Sequence, residues 1–454
     1  MAMETLNPAT GALVKSFDTW GNDELEAALQ QVAAATPGWR DLTFGDRAVL
    51  MHNAAKVLRE KSEHYASLIT LEMGKPIKEA RGEIEKCAWV CDYYAEHAET
   101  FLADEAIETD ADKSYVAYLP LGTVLAVMPW NFPFWQVFRF AAPGLMAGNT
   151  GVLKHASNVP QCALAIEEVF REAGFPTGSF RTLMISAAQV KGVIEDARVH
   201  AVTLTGSEPA GRQVASTAGN AIKKSVLELG GSDAFVVLED ADLDTAASVG
   251  VTSRFLNNGQ SCIAAKRFIV VDAIADEFVR CFREKIEKLN VGDPSLDETD
   301  VGPMSRQDLR DELHKQVQDS IAQGAVAELG CEPMEGPGAY YRPSILDKVV
   351  PGIRAYEEEL FGPVAIIIRA RDEDDAQRIA NDSRFGLGGS VWTQDSARGE
   401  RFALRMQSGA TFVNGLVKSD PRLPFGGTKA SGYGRELSTH GIREFVNAKT
   451  IWIS

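Results

Sequence analysis

The sequence lacks the features that mark exported, membrane-spanning and zinc-binding proteins. Its first residues, MAMETLNPATGALVKSF, contain no basic segment followed by an apolar one, so we expect no secretory signal. No run of about 18 apolar residues occurs, so we expect no membrane span. Its six cysteines include no C-x-x-C pair, so we expect no metal site. These absences favour a cytoplasmic protein whose thiols stay reduced.

Positive charge is also scarce. The chain has 46 Lys and Arg against 63 Asp and Glu, a net charge of −17. An acidic surface repels nucleic acid and anionic lipid, so neither is an expected partner. Any anionic ligand must then be held by local cations, which directs attention to each Lys or Arg inside an apolar or glycine-rich motif.

The pattern of apolar residues predicts an α/β protein. Helical patterns fill the first hundred residues, and short strands alternate with helices from about residue 150. Such alternation indicates βαβ units and parallel sheets. A chain of 454 residues suggests two or three domains. The alternation of strands and helices resumes after Gly230–Gly231, so we interpret this pair as a hinge between two α/β domains.

One cysteine differs from the other five. Cys262, in NNGQSCIAAKR, follows a helix that Asn257 and Asn258 should end, and it precedes the strand KRFIVV. A loop cysteine near Lys266 and Arg267 can be an accessible nucleophile, or it can be a small buried side chain. The sequence alone leaves both interpretations open.

Two further polar residues stand in apolar surroundings. Glu228, between two leucines and before two glycines, is either a desolvated general base or an ordinary edge carboxylate. Asn131, in VMPWNFPFWQVFRF, is a candidate oxyanion donor, with Pro133 expected to begin a helix. Arg139 on that helix either extends to solvent or binds an anion.

Strand ends supply candidate phosphate ligands. In LTGSEPAG, Gly206 and Ser207 come between a strand and a helix, and backbone N–H groups at a helix start bind phosphate. Lys154, in LKHAS, ends another strand and is placed to meet a ribose or a phosphate. Neither segment matches G-x-G-x-x-G.

Taken in order along the whole chain, eight motifs resemble those of the aldehyde dehydrogenase superfamily. They are NPATG, MPWNFP, GNTGVLKHA, LTGS, LELGG, GQSC, EELFGPV and PFGGTKASGYGRE. MPWNFPFWQVFR, AVTLTGS and KKSVLELGGSDAF narrow the resemblance to bacterial NAD(P)-dependent succinate-semialdehyde dehydrogenases.

The resemblance implies a Rossmann-like cofactor domain, an α/β catalytic domain and a small β oligomerisation arm. Their expected extents are 1–102 and 122–229 for the NAD(P)-binding domain, 230–433 for the catalytic domain, and 103–121 with 434–454 for the arm. The arm implies a homodimer or a homotetramer, in which paired edges protect open strands.

The resemblance also implies covalent catalysis. Cys262 attacks the aldehyde, and Asn131 with the N–H of Cys262 stabilises the oxyanion. Hydride transfer to the nicotinamide leaves a thioester, which Glu228 hydrolyses by activating water. A cysteine two residues after the nucleophile forms a disulfide in some relatives. Ala264 stands there in this chain, so we expect no such switch.

The implied cofactor residues include Ser157 at a position where NAD-preferring relatives often carry Glu. A Glu there repels a 2′-phosphate and Ser does not, so we expect NADP⁺ to be preferred and NAD⁺ to be accepted. The full implied set is Trp130, Lys154, Ser157, Gly206, Ser207, Leu229, Glu359 and Phe361.

The resemblance implies that Arg139 binds the carboxylate of succinate semialdehyde. Ser419 is expected to add a hydrogen bond, and Trp135 and Phe425 to wall the pocket. Leu256 replaces a second arginine that some relatives carry. This replacement leaves open an alternative, a broad-specificity enzyme for glutarate semialdehyde or neutral short aldehydes.

Two other classes of protein predict different residues in these motifs. A catalytically silent binding protein on this fold predicts loss of Cys262, Glu228 or Asn131, and all three are present. A cysteine hydrolase requires a histidine base, and none of the seven histidines stands in a matching motif.

Overall fold

The computed structural model describes residues 3–454. A β-hairpin and four helices come first. Thr43 begins the second helix by accepting a hydrogen bond from Asp46 N, and the Asp46 carboxylate accepts one from Thr43 N in return. These elements are β1 (Met3–Leu6), β2 (Leu13–Phe17), α1 (Asn22–Arg40), α2 (Phe44–Glu60), α3 (Ser62–Met73) and α4 (Ile77–Phe101).

The next segment alternates strands and helices, as the apolar pattern predicts. Its elements are β3 (Glu105–Ala106), β4 (Lys113–Pro120), β5 (Thr123–Met128), α5 (Trp135–Met146), β6 (Thr150–His155), α6 (Pro160–Glu172), β7 (Phe180–Thr182), α7 (Val190–Glu195), β8 (Val199–Thr205), α8 (Glu208–Asn220) and β9 (Lys224–Glu228).

The alternation resumes after Gly230–Gly231. The elements are β10 (Asp233–Val237), α9 (Leu243–Phe255), β11 (Ala265–Val271), α10 (Asp272–Ile286), α11 (Gln307–Ala322), β12 (Val326–Leu329), β13 (Ser344–Asp347), α12 (Arg354–Glu357), β14 (Val364–Ala370), α13 (Glu373–Asn381), β15 (Phe385–Gly386), β16 (Gly388–Trp392), α14 (Ser396–Arg405), β17 (Ala410–Val413), β18 (Thr428–Lys429), β19 (Gly432–Tyr433), α15 (Ser438–Arg443) and β20 (Val446–Ile453).

A six-stranded sheet is formed in the order β19-β9-β8-β5-β6-β7. All its strands are parallel except β19, which pairs antiparallel with β9. From β5 the chain moves outward through β6 and β7, and then returns to the other side of β5 through β8 and β9. The strand order therefore reverses between β5 and β8, and ligands bind at such a reversal, beyond the carboxyl ends of the strands.

A seven-stranded sheet is formed in the order β12-β13-β14-β11-β10-β16-β17 and is parallel except for β12. Along β10, Ala234 and Val236 pack into one apolar core, and Phe235 and Val237 pack into another on the opposite face. The alternation of side chains in a strand thus gives this sheet two covered faces. The two parallel sheets confirm the predicted α/β fold.

A third sheet, in the order β20-β4-β3, is antiparallel throughout. Strand β20 pairs with β4 from Val446 opposite Pro120 to Ile453 opposite Lys113. This sheet contains the segments predicted to form an arm between subunits. No helix among residues 3–454 combines the length and apolarity that a bilayer crossing requires.

The helix expected to begin at Pro133 begins two residues later, at Trp135. A buried carboxylate from helix α4 caps this start. Glu83 accepts hydrogen bonds from the N–H groups of Phe134 and Trp135, at 2.9 and 3.0 Å. A carboxylate at a helix start satisfies free N–H groups and complements the helix dipole.

Candidate active site

Several predicted site residues lie where the strands of the six-stranded sheet end. Asn131 follows β5, Glu228 ends β9, and the two strands lie on either side of β8. Gly206 and Ser207 stand between β8 and α8, so they and Asn131 flank the reversal of strand order. The sheet therefore gathers, at one edge, residues that are far apart in the sequence. The others at this edge are Trp130, Lys154 and Ser157.

The segment that carries Cys262 is shaped by two asparagines. Asn257 and Asn258 adopt the left-handed conformation, with φ of 56° and 58°, directly after α9 ends. Asparagine tolerates this conformation better than most residues. The side chain of Asn258 donates to the carbonyls of Gly74 and Pro303, both at 2.8 Å, which fixes the segment that leads to the cysteine.

Gly231 leaves room for the cysteine loop. A Cβ atom on this residue would lie 2.7 Å from the carbonyl oxygen of Cys262, closer than such atoms approach. The Gly230–Gly231 pair lies between the last parallel strand of one sheet and the first strand of the other. Close backbone approach explains the second glycine, and the hinge stays a prediction.

Asn131 is hydrogen-bonded to the cysteine loop. Its Nδ2 donates to the carbonyl of Gln260 at 3.0 Å, and its Oδ1 accepts from Gln136 at 3.1 Å. The side chain of Asn257 donates to the carbonyl of Asn131 at 2.8 Å. An amide nitrogen has two hydrogens, so one remains for a ligand.

The backbone N–H of Cys262 donates to no acceptor within residues 3–454. The free amide hydrogen of Asn131 lies on a side chain bonded to Gln260, two residues earlier. The cysteine loop therefore carries one unused donor on Cys262 itself and contacts a second on Asn131, the two donors that an oxyanion site would use.

The thiol of Cys262 faces a cavity but is largely desolvated. Burial raises its pKa to about 11, and the cations of Lys266 and Arg139 oppose this rise without cancelling it. Lys266 Nζ donates to the carbonyl of Cys262 at 2.6 Å. Arg267, which the sequence also places near the thiol, instead donates to the carbonyls of Ser232, Ile379 and Ala380.

Glu228 is buried, with 2% of its surface exposed, and neither of its side-chain oxygens has a hydrogen-bond partner in the described chain. Burial raises its pKa well above the usual range, and the carboxylate of Glu436 raises it further. An ordinary edge carboxylate would be solvated. The structure instead gives Glu228 the desolvated surroundings that strengthen a base.

Arg139 is buried and does not extend to solvent. Its guanidinium forms an ion pair with Glu436, donates to Thr205 Oγ1 at 3.2 Å and lies 4.4 Å from the ring centre of Phe425. Sequence reasoning missed Glu436. The available signal was its position at the end of the motif PFGGTKASGYGRE.

A cavity of about 290 Å³ adjoins Cys262. Its wall is largely aromatic and aliphatic, and it contains all four predicted substrate residues. Leu256 also lines it, where some relatives of this family carry an arginine. The residues that line it include Lys75, Lys86, Phe132, Trp135, Arg139, Leu256, Cys262, Lys418, Ser419 and Phe425.

Glu359, the residue expected to hold the nicotinamide ribose, contacts Lys266 and Gly231. Its Oε1 lies 3.1 Å from Lys266 Nζ and 3.2 Å from Gly231 N. The ring of Phe361 meets that of Trp130 edge-on at 5.9 Å. Leu229 is buried against Gly211 of helix α8.

The cation and hydroxyl at the end of β6 suit a phosphate. Lys154 is half-buried and Ser157 is exposed. Burial alone lowers the pKa of Lys154, with no carboxylate opposing it. Ser207, before helix α8, makes no side-chain cap, so its hydroxyl and the first N–H groups are available. This donor set fits NADP⁺.

Ala264 is buried two residues after Cys262. Within residues 3–454, no three His, Cys, Asp or Glu side chains are grouped so that they can hold a metal ion.

Comparison with known proteins supports the resemblance. The model of the aldehyde dehydrogenase family matches residues 1–451. A probable succinate-semialdehyde dehydrogenase (NADP⁺) of Synechocystis is 52% identical over 454 residues, covering all of both chains. Succinate-semialdehyde dehydrogenase (NADP⁺) 1 of Mycobacterium ulcerans is 52% identical over 457 residues, again with full coverage.

Among solved structures, the succinic semialdehyde dehydrogenase of Streptococcus pyogenes in complex with NADP⁺ is similar over all of both chains, with 39% identity and a TM-score of 0.98. The chain therefore belongs to the aldehyde dehydrogenase family.

Proposed function

We propose that this aldehyde dehydrogenase oxidises succinate semialdehyde to succinate and prefers NADP⁺ to NAD⁺. The cavity beside Cys262 carries the substrate proposal. Its aromatic wall suits a short carbon chain, and its cationic Arg139 and hydroxyl-bearing Ser419 suit a terminal carboxylate. The names of the two relatives that match the full length agree with this proposal.

In the proposed mechanism, the Cys262 thiolate attacks the aldehyde carbon and forms a thiohemiacetal. The remaining amide hydrogen of Asn131 and the N–H of Cys262 stabilise the oxyanion. Because the pKa of the thiol is about 11, its proton must pass to solvent before or during attack.

Glu228 acts as the base in the hydrolytic step. It removes a proton from water as the oxygen adds to the thioester carbon, and the C–S bond then breaks to release succinate and the thiol. A carboxylate with a raised pKa is a stronger base, so the burial of Glu228 serves this step.

The proposed cofactor residues hold NADP⁺ at the carboxyl edge of the six-stranded sheet. Lys154 and Ser157 bind the 2′-phosphate, and Gly206 and Ser207 bind the pyrophosphate at the start of α8. Glu359 orients the nicotinamide ribose. The remaining contacts are Trp130, Leu229 and Phe361. The chemistry that NADP⁺ supplies when bound is the two-electron oxidation between thiohemiacetal and thioester.

Steady-state kinetics tests this proposal. We expect kcat/KM to be highest for succinate semialdehyde with NADP⁺, compared with glutarate semialdehyde and butanal and with NAD⁺. Leu256 makes part of the cavity apolar and supports the broad-specificity alternative. A higher kcat/KM for butanal than for succinate semialdehyde would establish that alternative.

The three-stranded sheet is the proposed contact between subunits of a homodimer or homotetramer in the cytoplasm. Strand β20 pairs only with β4 among the described residues, and Trp452 and Ile453 on it are 52% and 47% exposed. Light scattering on the full chain measures the assembly, and a monomeric mass at micromolar concentration contradicts it. The predicted cofactor domain, catalytic domain and arm remain part of this proposal.

A further inference from the structure

Two of the cations around the substrate cavity have their charge balanced by the protein. Lys75 forms a buried ion pair with Glu83, and Arg139 forms one with Glu436. A buried ion pair of this kind leaves little net charge for a ligand, although both partners remain polar. Neither pair accounts by itself for selection of an anionic substrate.

Lys86 is different. Its Nζ donates to Ser419 Oγ at 2.7 Å and lies 4.3 Å from the ring centre of Trp135. Among residues 3–454, no carboxylate forms an ion pair with it. An ammonium group has three N–H donors, so two remain after the bond to Ser419. Lys418, on the same wall, is exposed, and solvent screens its charge.

The hydroxyl of Ser419 is oriented by this contact. Because its oxygen accepts from Lys86, its own hydrogen is directed elsewhere, and no acceptor within the described chain receives it. Lys86 and Ser419 therefore present three unused donors at one point of the cavity wall. A carboxylate, with two oxygens and about four acceptor sites, complements three donors.

The surroundings of Lys86 disfavour its charged form. Burial lowers its pKa to about 8, and Arg139 on helix α5 lowers it too. The groups that oppose this are Glu83 and Cys87 on its own helix and Asp420 after Ser419. They are too distant or too weak to restore the usual value. An incoming carboxylate would supply the missing counter-charge.

We infer that Lys86 is a substrate-binding residue that, with Ser419, holds the terminal carboxylate of a short ω-carboxylated aldehyde and so sets the preference over neutral aldehydes. This inference rests on the proposed function. It also places a second cation of the carboxylate subsite on helix α4. Leu256 stands in this chain where some relatives carry their second arginine.

The test compares kcat/KM for succinate semialdehyde with kcat/KM for butanal, using NADP⁺ at saturation. A charged hydrogen bond contributes about 1.5–3 kcal/mol, so Lys86→Met should lower the ratio of the two values roughly 10- to 100-fold. The loss should come mainly from KM for succinate semialdehyde. Butanal turnover by the same preparation shows that the variant is folded. If Lys86→Met does not fold, Lys86→Gln replaces it in the test.

Lys418→Met is the matched control. It removes the same charge from the exposed part of the same wall and should change the ratio by less than about threefold, because screened charges interact weakly. Equal losses on both substrates in Lys86→Met and Lys86→Gln would indicate a packing role and overturn the inference.

A pH profile provides the second readout. The ammonium of Lys86 is charged below its pKa, so the ratio should fall as the pH rises through about 8. Glu79 also lines the cavity, and burial raises its pKa to about 7, so its ionisation changes the ratio at lower pH in the parent enzyme and in each Lys86 variant alike. Ionisation of Cys262 affects both substrates and cancels in the ratio. Lys86→Arg keeps its charge at all these pH values and should remove the fall.

The possible failures are distinct. If the unaltered enzyme prefers butanal, the proposed function fails and the inference fails with it. If the enzyme prefers succinate semialdehyde while Lys86→Met keeps the full ratio, or the ratio does not fall above pH 8, only the inference fails.

Discussion

The cofactor edge and the substrate cavity are built in opposite ways. At the cofactor edge, donors stand at strand ends and at the start of α8, and Lys154 has no carboxylate to oppose its charge. In the cavity, Arg139 is balanced by Glu436 and Lys75 by Glu83. The first region offers an anion donors that are already free. The second holds two of its four lining cations in pairs and leaves the donors of Lys86 and Ser419 for the substrate.

The largest expected effect is a loss of catalysis at the substrate cavity while cofactor binding is retained. Cys262→Ala should lower kcat by at least about 10⁴-fold, because the proposed nucleophile is removed. Binding of NADP⁺, measured by fluorescence titration, should change less than about twofold. Cys281→Ala, which alters a half-buried cysteine on α10, is the control and should keep full turnover. Substantial residual turnover in Cys262→Ala would refute the nucleophile assignment.

The next effect concerns Arg139, which is paired with Glu436 beside the cavity. Arg139→Ala leaves Glu436 buried without its partner and should lower the free energy of unfolding by about 3–5 kcal/mol. It should also raise KM for succinate semialdehyde more than KM for butanal. Thermal unfolding and steady-state kinetics measure the two effects.

A double variant separates these roles of Arg139. Arg139→Met with Glu436→Met removes both charges, and replacing a buried ion pair by apolar residues is often neutral. Stability should therefore return while the preference for succinate semialdehyde does not. Recovery of that preference would show that Arg139 acts only through folding.

A smaller effect is expected at the cofactor edge. Ser157→Glu places a carboxylate beside the proposed 2′-phosphate site and should lower kcat/KM for NADP⁺ by roughly 10- to 100-fold, with NAD⁺ little affected. Ser157→Gln is the uncharged control of the same size. If Gln and Glu lower kcat/KM for NADP⁺ equally, steric size and not charge explains the change.

The last effect concerns the thiol itself and needs no substitution. With a pKa of about 11, Cys262 is protonated at neutral pH, so the rate of its alkylation by iodoacetamide should rise about tenfold per unit between pH 7 and 10. Peptide mass spectrometry follows this residue alone. A rate that levels off near pH 8 would indicate a thiol activated in the free enzyme.

The two regions also differ in how far the sequence predicts them. The cofactor edge depends on local order, a strand followed by a turn and a helix, and the pattern around Gly206 shows this directly. The cavity depends on contacts across the chain. Lys86 and Ser419 are 333 residues apart, and no periodicity in either segment links them.

The raised pKa of Cys262 was likewise beyond the sequence. Neighbouring basic residues suggested an activated thiol, but the carbonyls of other elements hold Arg267 away from it. Burial by the surrounding loops then outweighs Lys266. Desolvation depends on the whole fold, whereas the identity of a neighbour in sequence is local.

The protonated state of Cys262 has a consequence for the lifetime of the enzyme. Peroxides oxidise thiolates far faster than thiols. A sulfur that is almost wholly protonated between turnovers is therefore a poor target for oxidative damage, even though it faces an open cavity. The burial that is expected to slow alkylation of Cys262 should therefore slow its oxidation as well, with no second cysteine involved.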